Sequence, residues 1–304
     1  MANLYTQASK NVTKTWLLMS GVFLLVIGLG WFFSYYFRNP TILVGFGLFA
    51  VILQVVAYWR SDKIVLTLAG ARPAKREEFF DLYTVVENLS IAAGLPMPKV
   101  YVVDDPAPNA FATGRDKNHA VVCATTGLLA ILERSELEGV MAHELSHIGN
   151  KDMLVSTVVV VLVGFISIAA DMFMRSVLWG GVRSRDDREG NGGILMLLGI
   201  VFAILAPIAA TLIQLAISRK REYLADASGA LLTRYPEGLA NALRKIEAHS
   251  RPLRHQSGAI AHLYLADPAA GGKTPFLATL FMTHPPVKKR IAALLGAPRA
   301  ERSE

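Results

Sequence analysis

Two stretches near the start of the chain, 16–37 and 41–58, contain no charged residue, and nothing else in the sequence constrains the fold so tightly. Inside hydrocarbon a backbone must satisfy its own hydrogen bonds, and about 20 apolar residues suffice for a helix to cross. Arg38, Asn39 and Pro40 form a tight turn between the two stretches. Stretches 153–174 and 194–218 are two further candidates, the second containing Pro207, which a spanning helix tolerates. The sequence therefore predicts four membrane-crossing helices. Composition agrees, because a chain that is 53% hydrophobic and only 18% charged carries more apolar surface than a soluble domain of 304 residues buries. The first stretch is longer than the core of a cleaved signal. Trp31, Phe32, Tyr35 and Tyr36 resemble an interfacial aromatic belt, so it is expected to stay in the mature protein.

Basic residues flanking the spans give an orientation. Lys10, Lys14, Arg60, Lys63, Lys151, Arg219, Lys220 and Arg221 share one side if all four segments cross. Arg38, Arg175, Arg183, Arg185 and Arg188 fall opposite, the last three diluted by Asp186, Asp187 and Glu189. This bias puts both termini in the cytoplasm. The net charge of +7 suits anionic lipid headgroups, and no basic stripe interleaved with aromatics points to nucleic acid. The single cysteine, Cys123, excludes an internal disulfide and fits a reducing compartment; its apolar neighbours mark it as a packing residue.

The expected organisation is a membrane hairpin (1–60), a first soluble segment (61–152), a second membrane hairpin (153–218) and a second soluble segment (219–304). The fold class is mainly α, of α+β type, with the soluble domain built from two pieces of sequence. In the first piece, 63–68 reads as a short strand and 75–93 as an amphipathic helix ended by Gly94. Residues 100–103 read as a strand. Residues 109–113 and 119–125 flank a turn-rich connector and predict a hairpin. The second piece is mostly helical.

His143-Glu144-Leu145-Ser146-His147 carries the chemistry. Two imidazoles four residues apart on a helix stand on one face, one turn above the other, so both reach a single zinc ion. Glu144 lies beside that ion, placed to take a proton from water. Ser135 and Glu138 form an S-x-x-E pattern that predicts a capping box opening this helix. A catalytic zinc needs a third protein ligand. Glu222 is the candidate, in Arg221-Glu222-Tyr223-Leu224-Ala225-Asp226 just after the fourth span. Asp226, one turn on, is expected to accept from the second ring nitrogen of a zinc histidine. Two crossings separate His147 from Glu222, which returns the chain to its starting side. A continuous helix from the motif into the third span would set the metal roughly 10 Å from the membrane. His284, held before Pro285 and Pro286, and Arg290 one turn further are candidates for transition-state stabilisation. His119, His249, His255 and His262 lack partner spacing.

These blocks resemble the HtpX-type membrane zinc metalloproteases, relatives of the CAAX prenyl proteases. The resemblance covers nearly the whole chain. It rests on Asn109-Ala110-Phe111-Ala112-Thr113-Gly114, on Ala142 to His147, on Ser218 to Asp226, and on Thr283-His284-Pro285-Pro286 with Arg290. It implies a zincin-like cytoplasmic catalytic domain and a multi-pass endopeptidase of the bacterial inner membrane. Its implied work is stress-responsive quality control, the hydrolysis of damaged or misfolded membrane proteins or unfolded polypeptides. It implies one zinc ion held by His143, His147 and Glu222, with Glu144 as general base. It also implies that Asn109, Ala110, Phe111 and Ala112 form a substrate edge; an exposed strand pairs with an extended peptide through main-chain bonds. One alternative keeps the chemistry and changes the substrate to prenylated tails. The other is a non-enzymatic zinc scaffold or transporter, for which the spans hold few ionisable residues. Oligomeric state is not legible.

Overall fold

Charge-free sequence in the first sixty residues becomes two long helices. A computed structural model of the chain describes residues 4–180, 219–251 and 285–296. Helix α1 (Leu4–Tyr36) extends beyond the apolar stretch into the polar residues before it. Arg38 turns the chain at a φ of 51°, and α2 (Pro40–Trp59) follows. Asn39 caps α2, accepting from Thr41 N at 3.0 Å, and Pro40 occupies a position where a missing N–H costs nothing. By length and composition Ser9–Tyr35 and Pro40–Trp59 are each able to cross a membrane. Trp16, Leu24, Trp31, Leu48 and Ile52 stay exposed along them, the exposure that lipid covers.

Next come α3 (Ser61–Leu68), β1 (Ala71–Pro73), α4 (Phe80–Ala93), β2 (Lys99–Val103), β3 (Ala110–Gly114), β4 (Ala120–Thr125) and α5 (Thr126–Ile131). The strands form one sheet in the order β1-β2-β4-β3, with β2 and β4 parallel and the other two pairs antiparallel. The expected hairpin is present as β3 and β4, with Phe111 opposite Cys123. Residues 63–68 form a helix and not a strand. Their β-branched residues favour extension in isolation, but Val65 and Ala69, one helical turn apart, both bury beneath the sheet. The helix expected from residue 75 begins at Phe80, because 75–79 form a turn closed by Phe79 N to Lys75 O at 3.0 Å. Gly94 ends it as expected, at a φ of 63°.

Both faces of the sheet are covered, which accounts for strands that read as nearly continuous apolar runs. One face presents Val100, Val102, Ala112, Val122 and Ala124 to α4 and to α6 (Arg134–Gly149). The other presents Val103, Phe111 and Cys123 to α3 and to Val160 of α7 (Asp152–Gly180). Helix α7 contains the third predicted span and also packs on α1 and α2, where Leu154, Val158 and Leu162 meet Met19, Val22 and Leu53. The fourth predicted span, 194–218, lies outside the described residues. The expected continuous passage from α6 into α7 is broken: the helices meet at 82°, with Lys151 at a φ of 56° in the break. Three further helices, α8 (Arg219–Thr233), α9 (Pro236–Ala248) and α10 (Val287–Leu295), complete the soluble part among the described residues.

Candidate metal centre

Helix α6 is fixed from three sides before it presents any chemistry. Its start is set by Glu133 and Glu136, not by the expected Ser135 and Glu138. Glu133 N donates to Glu136 Oε2 at 2.8 Å, and Lys245 Nζ of α9 donates to the same oxygen at 2.7 Å. The partner from another element selects this register two residues upstream. Leu137, Val140, Met141, Leu145 and Ile148 bury into the main core, which leaves one turn of the helix facing α8.

That turn carries His143 and His147, and α8 brings Glu222 to them. Their ligand atoms all lie within 4.8 Å of one another. His143 Nε2 and His147 Nε2 are 3.2 Å apart, Glu222 Oε2 is 3.7 Å from the first, and Glu222 Oε1 is 3.5 Å from the second. A tetrahedral zinc with ligands about 2.0–2.1 Å away separates its donors by about 3.3 Å, so two imidazoles and a carboxylate at these spacings fit such an ion. His143 is 1% exposed, and Glu144 is buried between the two histidines on α6.

The ring tautomers follow from the second partner of each histidine. His143 Nδ1 lies 2.9 Å from Asp226 Oδ1. Arg290 Nη2 is also 3.5 Å from that nitrogen, but arginine only donates. The shorter contact decides: Nδ1 carries the proton and gives it to Asp226, and the Nε2 lone pair faces the other ligands. Burial opposes a charge on Asp226, yet the hydrogen bonds from Arg290 and His143 outweigh it and hold the carboxyl down at about 2. His147 is built the same way, with Nδ1 3.2 Å from Asp152 Oδ2. Burial opposes a charged His147 ring as well, but Asp152, Glu222 and Glu144 lift it to about 9.

The structure thus brings together His143, Glu144, His147, Glu222 and Asp226. Arg290, expected in transition-state stabilisation, reaches the same cluster from behind: it is 1% exposed, its Nε and Nη2 bind Asp226 at 2.9 and 2.6 Å, and its Nη1 lies 4.0 Å from Glu222 Oε2. It therefore stands behind the histidine. His284 lies outside the described residues. Ala110, Phe111 and Ala112 form the edge strand β3 and Asn109 precedes it, but the strand is not exposed as expected: α6 and α7 cover its faces and all five residues are buried. Asp152 is the residue that the sequence pattern missed. Its only signal was an acid at the head of an apolar stretch, five residues after His147.

A paired histidine helix completed by a glutamate from a distant segment, on a mostly helical frame with apolar N-terminal helices and a small sheet, defines a membrane metallopeptidase. The chain belongs to Peptidase family M48, whose family model matches residues 76–297. The Protease HtpX homolog of Caldanaerobacter subterraneus subsp. tengcongensis is 47% identical over 294 residues, 96% of this chain and 97% of the relative. The Protease HtpX homolog of Tropheryma whipplei (strain Twist) is 47% identical over 291 residues, 96% and 97% of the two chains. A crystal structure of S. mikatae Ste24p is similar at 19% identity and a TM-score of 0.49; the match covers 97% of this chain and 66% of that one. The protein is a membrane-bound M48 protease, and its family implies a metal.

Proposed function

We propose that the metal is one zinc ion held by His143, His147 and Glu222, and that the protein is an endopeptidase cutting damaged or misfolded membrane proteins. The convergence of two Nε2 atoms and one carboxylate at 3.2–3.7 Å carries this reading. Zinc supplies Lewis acidity toward the scissile carbonyl and acidifies water there. Glu144 accepts the proton of the attacking water and returns it to the leaving amine. Asp226 and Asp152 hold the two rings with Nε2 forward, and Arg290 is a positioning residue acting through Asp226. His284 keeps its proposed role at the oxyanion.

The proposed setting is the bacterial inner membrane, with four spans and with both termini and the catalytic segments in the cytoplasm. The two apolar N-terminal helices and the basic residues beside the spans support it. Substrates are unfolded or membrane-embedded polypeptides.

The test is Glu144→Gln in the full-length protein. Zinc content and melting temperature should match the wild type, while cleavage of casein or of an unfolded membrane substrate falls by about a hundredfold to ten-thousandfold. Normal cleavage by that variant in a preparation cleared of other proteases overturns the role of Glu144.

A further inference from the structure

Asp152 uses both of its oxygens, and the second one leads out of the catalytic segments. Oδ2 takes His147 Nδ1 at 3.2 Å; Oδ1 takes the side-chain amide of Asn11 at 2.6 Å. The same amide nitrogen donates its other hydrogen to the Asn150 carbonyl at 3.0 Å. Two acceptors around one atom fix it as the NH2 end of the amide. Arg221 Nε is 3.3 Å from Oδ1 on the other side. Asn11 and Asp152 are 5% and 4% exposed, so this is an interior network and not a surface contact.

Asn11 belongs to α1. It lies 141 positions from Asp152 in sequence, on the polar extension that precedes the apolar part of the first predicted span. A helix that served only as an anchor has no need to bury an amide. Once buried, the amide must find acceptors, and those it finds sit at the break between the histidine helix and α7. We propose that Asn11 is a positioning residue of the metal centre, acting through Asp152 on His147, so that the first apolar helix is a structural part of the active site.

The chemistry is one of orientation. A carboxylate with a single partner rotates about its terminal bond. Asn11, tied to Asp152 and to the Asn150 backbone through one nitrogen, fixes the carboxylate plane. Oδ2 is thereby kept aimed at His147 Nδ1–H, and the ring keeps Nε2 toward His143 and Glu222. Arg221 adds charge from the residue before Glu222, so Asp152 joins supports from α1 and α8 at one point. The inference rests on the reading that the two histidines and Glu222 hold a metal.

The experiment uses the full-length protein in detergent micelles, stripped with chelator and titrated with zinc against a competing indicator, with cobalt(II) visible spectra alongside. Asn11→Leu keeps the size of the side chain and Asn11→Ala does not; neither can donate. Both should weaken zinc binding about tenfold or more, shift the cobalt bands and lower kcat with KM unchanged. In an Asp152→Asn background, itself weakened, neither should cause further loss. The proposal is overturned if Asn11→Leu binds zinc as wild type does, which leaves only packing, or if the losses multiply in the Asp152→Asn background. Asp152→Asn exchanges a single heavy atom and preserves shape, so an unchanged affinity and cobalt spectrum in that variant also overturn it, even where the Asn11 variants fold poorly. Wild-type protein that takes up no metal overturns the underlying reading as well, and so separates the two failures.

Discussion

Asp226 stands between Arg290 and His143, accepting from the guanidinium at 2.6 and 2.9 Å and facing the ring Nδ1 at 2.9 Å. All three side chains are buried. The arrangement joins α10, α8 and α6, and places a permanent cation behind a carboxylate that orients a metal ligand. The carboxylate needs that cation, because burial alone would favour its neutral form. The ligand in turn needs the ionised carboxylate to keep its proton on Nδ1.

Arg290→Ala is expected to act as an ion-pair deletion. It leaves Asp226 in the interior without its cation, a change that costs about 3–5 kcal/mol. Melting temperature and zinc affinity should both fall, and Arg290→Lys, which lacks the planar fork, should restore only part of each. Thermal denaturation and zinc titration of the three proteins check this. A variant with wild-type stability and zinc content but reduced kcat would return Arg290 to the substrate side.

His147 gives a pH dependence with a definite sign. In the metal-free chain its pKa is raised to about 9 from 6.5, so the protonated ring contributes stability that is complete below 6.5 and is lost as pH rises through about 9. Metal binding needs the neutral ring, so zinc affinity runs the opposite way and should fall about tenfold per unit as pH drops below 9. Melting curves of the stripped protein between pH 6 and 10, with zinc titrations over the same range, should show the two opposed trends. A stripped protein whose stability does not decline across that interval contradicts the Asp152 and Glu222 environment described for this ring.

The histidine pair and Glu222 were legible because metal chemistry demands fixed residue types at fixed helical spacing, whatever surrounds them. The buried face of α6, β2 and the β3–β4 hairpin were legible from periodicity and turn residues. What escaped depends on partners distant in sequence. Residues 63–68 carry β-branched side chains, but their state is decided by the underside of a sheet assembled later in the chain. The cap on α6 moved to Glu133 and Glu136 because Lys245, 109 positions away from Glu136, completes it. In sequence Arg290 reads as a substrate-facing cation, but Asp226, 64 positions away, engages its Nε and Nη2. The break falls at Lys151, a non-glycine residue in the left-handed region, which its residue type does not announce.

Two glycines let the metal helix be approached closely, and they support different outcomes. A Cβ on Gly139 of α6 would stand 2.6 Å from the backbone nitrogen of Leu239, a distance no side-chain movement relieves. A Cβ on Gly229 of α8 would stand 3.0 Å from His143 N, which asks α8 to withdraw by only a few tenths of an ångström. Gly139→Ala should therefore push α9 off α6 and lower stability by about 1–3 kcal/mol, with little change in metal binding for the molecules that fold. Gly229→Ala should do the reverse. Its displacement falls on the helix that carries Glu222 and Asp226, so zinc affinity and kcat should drop further than melting temperature. Alignment of a catalytic centre to within about 0.5 Å is what such sites require, and a helix shift of that size reaches the limit. Zinc titration and calorimetry on both variants check the pair. Equal losses of stability and affinity in the two would mean that α6 responds to crowding as one rigid body, whichever face is pressed.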